Sequence, residues 1–260
     1  MATTKLKDRL DNKLQSRESV TEKERVLTMP DTSLAPVESG YVALTSNALD
    51  IISENLKNQP LSHSLFDVIK SPSGGATAFT VPGVCGDEIQ KELTGIILDY
   101  TTPRAYWDTP DPVEGTPPVC YSRDSLVSHE GKPCSRCQFN DYGSKDGDSN
   151  AKACKESVEL FLLRPDNILP LIVRIPVSSK LLFLKYTTRL VSTLTPVCGV
   201  VTKITLEKAT NKTGQPYALY NFEAVSTLTS EETTTARAFG QKFMEILSAA
   251  DVGPEMRKVG

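Results

Sequence analysis

Four of the six cysteines have the spacing of ligands to one metal ion. Cys134 and Cys137 form a C-x-x-C pair in the run KPCSRCQF, and Cys120 and Cys154 flank it at separations of 13 and 16 residues. Two residues between thiolates let one tight turn direct both sulfurs at a tetrahedral ion. Four soft sulfur ligands favour zinc in a structural role, because four protein ligands leave no position for a reacting water. The spacing therefore predicts a structural Zn²⁺ site at Cys120, Cys134, Cys137 and Cys154.

Spacing alone leaves other interpretations of these cysteines open. His129 lies close enough in sequence to replace one thiolate as a ligand. An iron–sulfur cluster also uses four cysteines, and the pattern could be a set of unrelated buried thiols. A redox-active C-x-x-C normally opens a helix after a strand, whereas this pair lies among Pro, Gly and Asp. Cys85 and Cys198, outside the pattern, are predicted to be core residues.

The cysteine segment, residues 101–153, is rich in Pro, Gly, Asp and Ser and has almost no aliphatic residues. A structureless loop of this length is uncommon inside a compact domain, so a bound ion is the expected means of holding it.

The sequence on either side of this segment shows the apolar periodicity of strands and helices. Apolar and β-branched runs predict strands at 79–81, 93–100, 158–163, 168–175, 197–206 and 217–227, and helical spacing predicts helices at 41–57, 178–193 and 231–250.

From residue 93 onward the predicted order is strand, long loop, two strands, helix, two strands and helix. Five strands with a helix between the third and the fourth are typical of the OB-fold, although other five-stranded barrels share that order. We therefore predict a mainly β, α+β fold: a five-stranded OB-fold barrel with a zinc-binding insertion between strands 1 and 2, plus N-terminal and C-terminal helices. The predicted parts are an N-terminal extension (1–75, a charged tail plus a helix), the OB-fold domain (76–230, with the insertion at about 101–157) and a C-terminal helix and tail (231–260).

The net charge of −3 is unevenly distributed along the chain. Residues 150–222 carry ten Lys and Arg against four Asp and Glu, a balance of +6, while the flanking segments are acidic. This polarity suits a protein that binds a phosphate chain at one face, with chance clustering as the alternative. Cations and aromatic rings also fall on the elements by which OB-folds hold oligonucleotides. The predicted nucleic-acid-binding residues are Arg104, Tyr106, Trp107, Arg136, Tyr142, Lys152, Lys155, Arg164, Arg174, Lys203, Lys208, Lys212, Tyr217 and Tyr220.

Catalysis has little support in the sequence. The chain has two histidines, neither in a recognisable triad, and it lacks the glycine-rich phosphate-binding motifs. Its apolar runs are far shorter than the roughly 20 residues that span a bilayer, and the charged N-terminus lacks the apolar stretch of a signal peptide. We therefore expect a non-enzymatic protein of a reducing cytoplasm that does not associate with membranes.

Between about Tyr100 and Phe222 the chain resembles single-stranded-DNA-binding proteins of bacteriophages and mobile elements. The residues that carry this resemblance are the runs DYTTPRAYW, PCSRCQFNDYGS, KACKES, LFLLRPDNILPLIVRIP and VVTKITLEKATNKTGQPY. The chain is also similar to the helix-destabilising proteins of T-even phages, which build a zinc module into an OB-fold. Those proteins mix His with Cys as ligands, whereas this chain offers four cysteines.

The resemblance implies protection of single-stranded intermediates in replication, recombination or transfer of a phage or mobile element, in the cytoplasm of a bacterial host. Many such proteins recruit partners through an acidic C-terminal tail. Here the last residues include Arg257 and Lys258, so residues 1–35 are the expected contact for replication or recombination proteins. The alternatives are a zinc-ribbon RNA-binding or transcription-associated protein and a non-catalytic OB-fold interaction scaffold. A nuclease would need a Mg²⁺-binding carboxylate cluster, which the sequence does not suggest.

Overall fold

The computed structural model of this 260-residue chain describes residues 40–45, 48–57, 59–109, 116–145 and 151–250. The fold is a mixed α+β structure dominated by one curled sheet, which forms a half-barrel, with helices packed against it. This confirms the predicted fold class at that level. The charged tail at residues 1–35, predicted to contact partner proteins, lies outside the described residues.

The secondary structure follows the apolar periodicity of the sequence. The strands of the described residues are β1 (Val68–Ile69), β2 (Phe79–Val81), β3 (Glu88–Gln90), β4 (Glu92–Thr101), β5 (Arg104–Tyr106), β6 (Cys120–Ser122), β7 (Lys155–Leu163), β8 (Leu171–Pro176), β9 (Val200–Thr210) and β10 (Pro216–Thr227). The α-helices of that part are α1 (Val42–Thr45), α2 (Ala48–Leu56), α3 (Val177–Ser192) and α4 (Ser230–Ala250). The six predicted strands and the two later helices all form, and the predicted helix at 41–57 is formed as α1 and α2.

The main sheet runs in the order β1-β8-β7-β4-β9-β10, and β5 extends it by pairing with both β6 and β7. Its ladders are antiparallel except for the short parallel pair of β1 and β8. Bulges interrupt the register between Ile97 and Asp99 on β4 and between Ala224 and Ser226 on β10. Because a bulge increases local twist and bends the strand, these two positions favour the curl of the sheet.

The two ends of the curled sheet are linked by the segment that includes β1. In the described residues no ladder joins β8 to β10, because Val68 and Ile69 of β1 occupy the free edge of β8. The segment continues to a turn at Ser73–Gly75 that packs on β9 and β10. A Cβ on Gly75 would lie 3.2 Å from Lys208 Cγ, and the φ of this residue is +71°, so glycine suits the position for two reasons.

Apolar side chains cover both faces of the sheet. One core cluster lies between the sheet and α3, with Ile97, Leu160 and Phe183 fully buried. On the other face, α4 and the N-terminal helices pack over Phe161, Ile172 and neighbouring residues. Burial on both faces explains why β4 and β7 read as continuous apolar runs instead of alternating patterns.

The N-terminal part of the described chain belongs to the same core as the sheet. Ile69, before the predicted boundary at residue 75, and Phe79, after it, share one buried cluster.

Helix α4 begins with a capping box, in which Thr229 N donates to Glu232 Oε2 at 2.9 Å and Glu232 N donates to Thr229 Oγ1 at 3.2 Å. No helix in the described ranges has the length and apolar character needed to cross a membrane.

Candidate metal centre and nucleic-acid interface

The four predicted metal ligands are positioned by short elements of the insertion, which we define as residues 102–154. Cys120 begins β6, opposite Tyr106 of β5. Cys134 opens a 3₁₀ turn, and the Cys137 N–H donates to the Cys134 carbonyl at 3.3 Å. Cys154 lies directly before β7, with its N–H donating to the Phe139 carbonyl at 2.8 Å. The turn and the two strand ends thus direct all four residues towards the same region.

All four of these cysteines line one cavity of about 410 Å³, which we call the cysteine cavity. They are free thiols, and Cys134 is buried while the other three are partly exposed. Within the described residues, no group of three or more His, Cys, Asp or Glu side chains is set closely enough to hold an ion. The structure therefore shows a shared cavity, and the predicted metal site remains a prediction.

The thiols of the cysteine cavity are close enough to influence one another electrostatically. Burial raises the pKa of Cys120, and the neighbouring charges of Cys137 and Cys134 raise it further. Burial also raises the pKa of Cys154 to about 11, although the nearby charge of Arg104 acts in the opposite direction. The sulfurs therefore disfavour each other's charged form, which is the situation that a bound cation reverses.

Asn140 connects the cysteine cavity to the surrounding cations. Its side chain donates to the Cys134 carbonyl at 3.0 Å, and its Oδ1 accepts from Lys152 Nζ at 3.0 Å and from Arg104 Nη1. Arg104 also pairs with Glu156 Oε2 at 3.2 Å, while its buried Nε has no hydrogen-bond partner. Asn140 is not among the residues predicted from the sequence. Its one local signal is its position three residues after the C-x-x-C pair.

Aromatic rings lie beside these cations. Tyr106 stacks on Phe139 with ring centroids 3.9 Å apart, and both residues line the cysteine cavity. Trp107 donates from Nε1 to the Thr116 carbonyl at 2.9 Å. Tyr142 is 77% exposed, and Lys152 Nζ lies 4.5 Å from its ring centroid. An exposed ring beside an ammonium group can stack on a base while the cation approaches a phosphate.

The predicted cations differ in how they are engaged. Arg174 makes hydrogen bonds of 2.9 and 2.6 Å to Glu159, and Lys203 pairs with Glu223 at 2.7 Å, so part of their charge is already neutralised. Arg164 lines a second cavity of about 570 Å³, with its buried Nε unpartnered. The predicted cations with exposed side chains are Arg136, Lys155, Lys208 and Lys212.

Two predictions are wrong on burial. Tyr220 has no exposed surface, and it packs against Phe79 in the core, so no base can stack on it. Residues 218 and 220 point inward on β10, whereas Tyr217 alternates to a partly exposed position, as strand periodicity requires. Cys85, predicted as a core residue, is exposed in the loop between β2 and β3, while Cys198 is buried as predicted.

The structure thus groups the predicted binding residues in two places. Arg104, Tyr106 and Arg136 line the cysteine cavity, and the Lys152–Tyr142 pair joins them through Asn140. Lys208, Lys212 and Tyr217 lie instead around the β9–β10 turn, where the Asn211 side chain holds the loop by accepting from Thr213 N and Gln215 N. The insertion follows β4 and this turn follows β9. Because β4 and β9 pair antiparallel, the two begin at opposite ends of the β4–β9 ladder.

No family model, curated protein or solved structure matches the chain.

Proposed function

We propose that this protein binds single-stranded DNA without sequence preference, as a non-catalytic OB-fold protein whose insertion is held by structural zinc. The binding surface comprises the insertion and the β9–β10 turn. In the cell it would cover single-stranded intermediates of replication, recombination or transfer of a phage or mobile element. Residues 1–35 are the proposed contact for other proteins of those processes.

The strand order supports the OB-fold part of the proposal. In the proposed OB-fold, β4, β7, β8, β9 and β10 would be the five strands. α3 follows β8 and precedes β9, and the insertion joins β4 to β7. The OB-fold is a partly open barrel, which is compatible with a sheet whose β8 edge pairs with β1. OB-folds hold oligonucleotides with the loops that correspond here to the insertion and the β9–β10 turn.

Residue type and a shared cavity support zinc. Cys120, Cys134, Cys137 and Cys154 supply four soft ligands around one cavity, and their thiols disfavour each other's ionisation. A divalent cation would remove that repulsion and stabilise a segment whose described residues contribute no member to the three core clusters. Four protein ligands would make such a site structural and not catalytic.

The exposed ring of Tyr142 beside Lys152 is the observation that carries the DNA proposal. A tyrosine that is 77% exposed has no role in a core. An ammonium 4.5 Å from its ring centroid supplies the charge that a phosphate chain needs. Stacking of this kind contributes about 1–3 kcal/mol per base. Trp107, Arg136 and Lys155 extend the same combination of rings and cations along the insertion and into β7.

The direct test is a fluorescence-anisotropy titration of labelled oligo-dT with the full chain, with unlabelled oligo-dT, oligo-U and duplex DNA as competitors. We expect oligo-dT to bind more tightly than the duplex, and its log affinity to fall linearly with log salt. Tyr142→Ala should weaken binding by a factor between about 5 and 150. Leu126→Ala is the matched control, because Leu126 is an exposed apolar residue of the same insertion without a ring.

Three results would overturn this proposal: affinity that does not depend on salt, equal binding of duplex and single strands, or equal effects of the two variants. Stronger competition by oligo-U than by unlabelled oligo-dT would replace DNA with RNA as the ligand. Metal analysis of the same protein sample tests zinc independently of the DNA result.

A further inference from the structure

One face of α3 presents an apolar stripe to solvent. We define the α3 stripe as Val177, Leu181, Leu184, Thr188 and Val191. Its four apolar members are 60%, 61%, 37% and 67% exposed in chain order, and Thr188 is also exposed. The opposite face of the helix is buried against the sheet through Ser179, Phe183, Tyr186 and Leu190. α3 is therefore already held in the fold without the stripe.

The spacing of the α3 stripe is that of a helix-pairing seam. Its members are separated alternately by four and three residues, the repeat by which one helix packs along another. An apolar row on the solvent side of a helix is a cost to solubility unless a partner covers it. A seam with this period fits a second helix better than an irregular surface.

The charged residues of α3 that flank the stripe are all positive. Lys185 and Arg189 are exposed and lie four residues apart along one edge, and Lys180 borders the other edge, where it pairs with Glu156. The sequence of α3 contains no Asp or Glu. An amphipathic helix with acidic residues beside its apolar seam would pair with Lys185 and Arg189 as it covered the stripe.

We propose that the α3 stripe docks an acidic amphipathic helix of a partner protein. A second copy of α3 fits poorly, because its own cations would face Lys185 and Arg189 with no acidic residue between them. A nucleic-acid strand also fits poorly, because phosphates gain nothing from an apolar row. The inference does not rest on the proposed function, since none of the stripe residues lines the cysteine cavity or lies in the insertion.

The test uses the full chain and a labelled synthetic peptide of three heptads with Leu at positions a and d and Glu at e and g. The Glu residues also keep the peptide from pairing with itself. A matched peptide carries Lys at e and g. We expect the Glu peptide to bind the chain at least about tenfold more tightly than the Lys peptide. The double variant Leu181→Glu, Val191→Glu should bind the Glu peptide with an affinity lower by about tenfold or more.

Charge reversal makes the test specific. Lys185→Glu with Arg189→Glu should reverse the preference, so that the Lys peptide binds more tightly, while Val84→Glu, at a fully exposed valine outside α3, should change nothing. Unchanged thermal unfolding of each variant shows that the fold is retained.

Equal binding of the two peptides, or an equal effect of Val84→Glu, would overturn the proposal. A drop in the sedimentation mass of the chain caused by the stripe variant would assign the face to a second copy instead. Binding to anionic vesicles that the same variant abolishes would assign it to a lipid surface.

Discussion

The sheet and the insertion are held together by different forces. Three clusters of apolar side chains are buried on the two faces of the sheet, one against α3 and two against α4. In the described residues of the insertion, none of these clusters has a member; that part is held by turns, stacked rings and polar contacts such as those of Asn140. Each region contains aromatic residues. Phe79, Phe161 and Tyr220 of the sheet are buried, whereas no aromatic residue in the described part of the insertion is buried.

This difference explains where binding chemistry can be located. A ring in the core, such as Tyr220, contributes burial and cannot meet a ligand, whereas Tyr142 of the insertion can. Loops carry binding residues because a rigid scaffold holds their ends. The proposed zinc ion would constrain the insertion further without covering its rings.

The largest expected effect comes from removing two of the proposed zinc ligands. Cys134→Ser with Cys137→Ser should release the ion and unfold the insertion while the sheet stays folded, because a structural zinc site contributes on the order of 10 kcal/mol to the segment it organises. Metal analysis should show loss of one zinc per chain. Limited proteolysis should then cut within residues 102–154 and leave the sheet intact.

The matched control is Cys85→Ser with Cys198→Ser, which removes the same number of thiols outside the cysteine cavity. It should keep the metal and the protease resistance. If the Cys134 and Cys137 variant did so as well, the zinc assignment would fail. If instead both regions unfolded together, the contrast between them would fail.

The next largest effect is expected from a substitution in the apolar core of the sheet, the region that is compared with the insertion. Phe183 of α3 is fully buried and meets Tyr100 and Phe222 edge-on, with centroids 4.9 and 5.3 Å away. Phe183→Ala should lower the free energy of unfolding of the sheet by about 3–5 kcal/mol, through lost burial and a cavity. Urea unfolding followed by far-UV circular dichroism measures this change.

The same substitution in the insertion is the control. Phe139 is half-buried and stacks on Tyr106, so Phe139→Ala should leave the unfolding of the sheet unchanged while it lowers oligo-dT affinity. Similar losses of sheet stability in the two variants would show that the two regions form a single cooperative unit.

The fold of the sheet could be predicted because short stretches of sequence are enough to identify most of its strands and helices. Continuous runs such as LTGIIL and VELFLL, the turn at 164–167 and the helical spacing of α3 and α4 fix element type within a short window. β1, β3, β5 and β6 were not predicted, because two or three residues are too few to establish a period, although β2, also three residues long, was predicted. The parallel pairing of β1 with β8, which ends the sheet at that edge, depends on residues about 100 positions apart.

The candidate site was less predictable, because pairing decides which charges are available. Arg174 and Lys203 look like phosphate contacts in sequence, yet Glu159 and Glu223 reach them across neighbouring strands. Such pairs depend on which residues of neighbouring strands lie opposite each other, and this register is known only once the strands are paired. Cysteine spacing, in contrast, is a local signal. The four residues that it groups line one cavity, and the metal site predicted from them stays a prediction.

The smallest effect concerns the ion pair that joins β7 to β8. Glu159 is buried, and burial alone would raise the pKa of its carboxyl, but the hydrogen bond with His63 and the charge of Arg174 outweigh burial and lower that pKa. A carboxyl whose pKa is lower in the folded state stabilises the fold above its ordinary pKa of about 4.5. This contribution disappears as the pH falls through the lower, folded-state pKa.

Glu159→Gln should therefore cost about 1–3 kcal/mol of unfolding free energy at pH 7, and the cost should shrink as the pH falls below 4.5. Urea unfolding of variant and wild type at each pH measures the difference, in which any acid-induced loss of metal cancels. Glu223→Gln, which breaks the exposed pair with Lys203, should cost no more than about 0.5 kcal/mol at any pH. A deficit for Glu159→Gln that stays constant with pH would mean that the carboxylate charge contributes nothing and that the sheet depends on apolar burial alone, which would sharpen its contrast with the insertion.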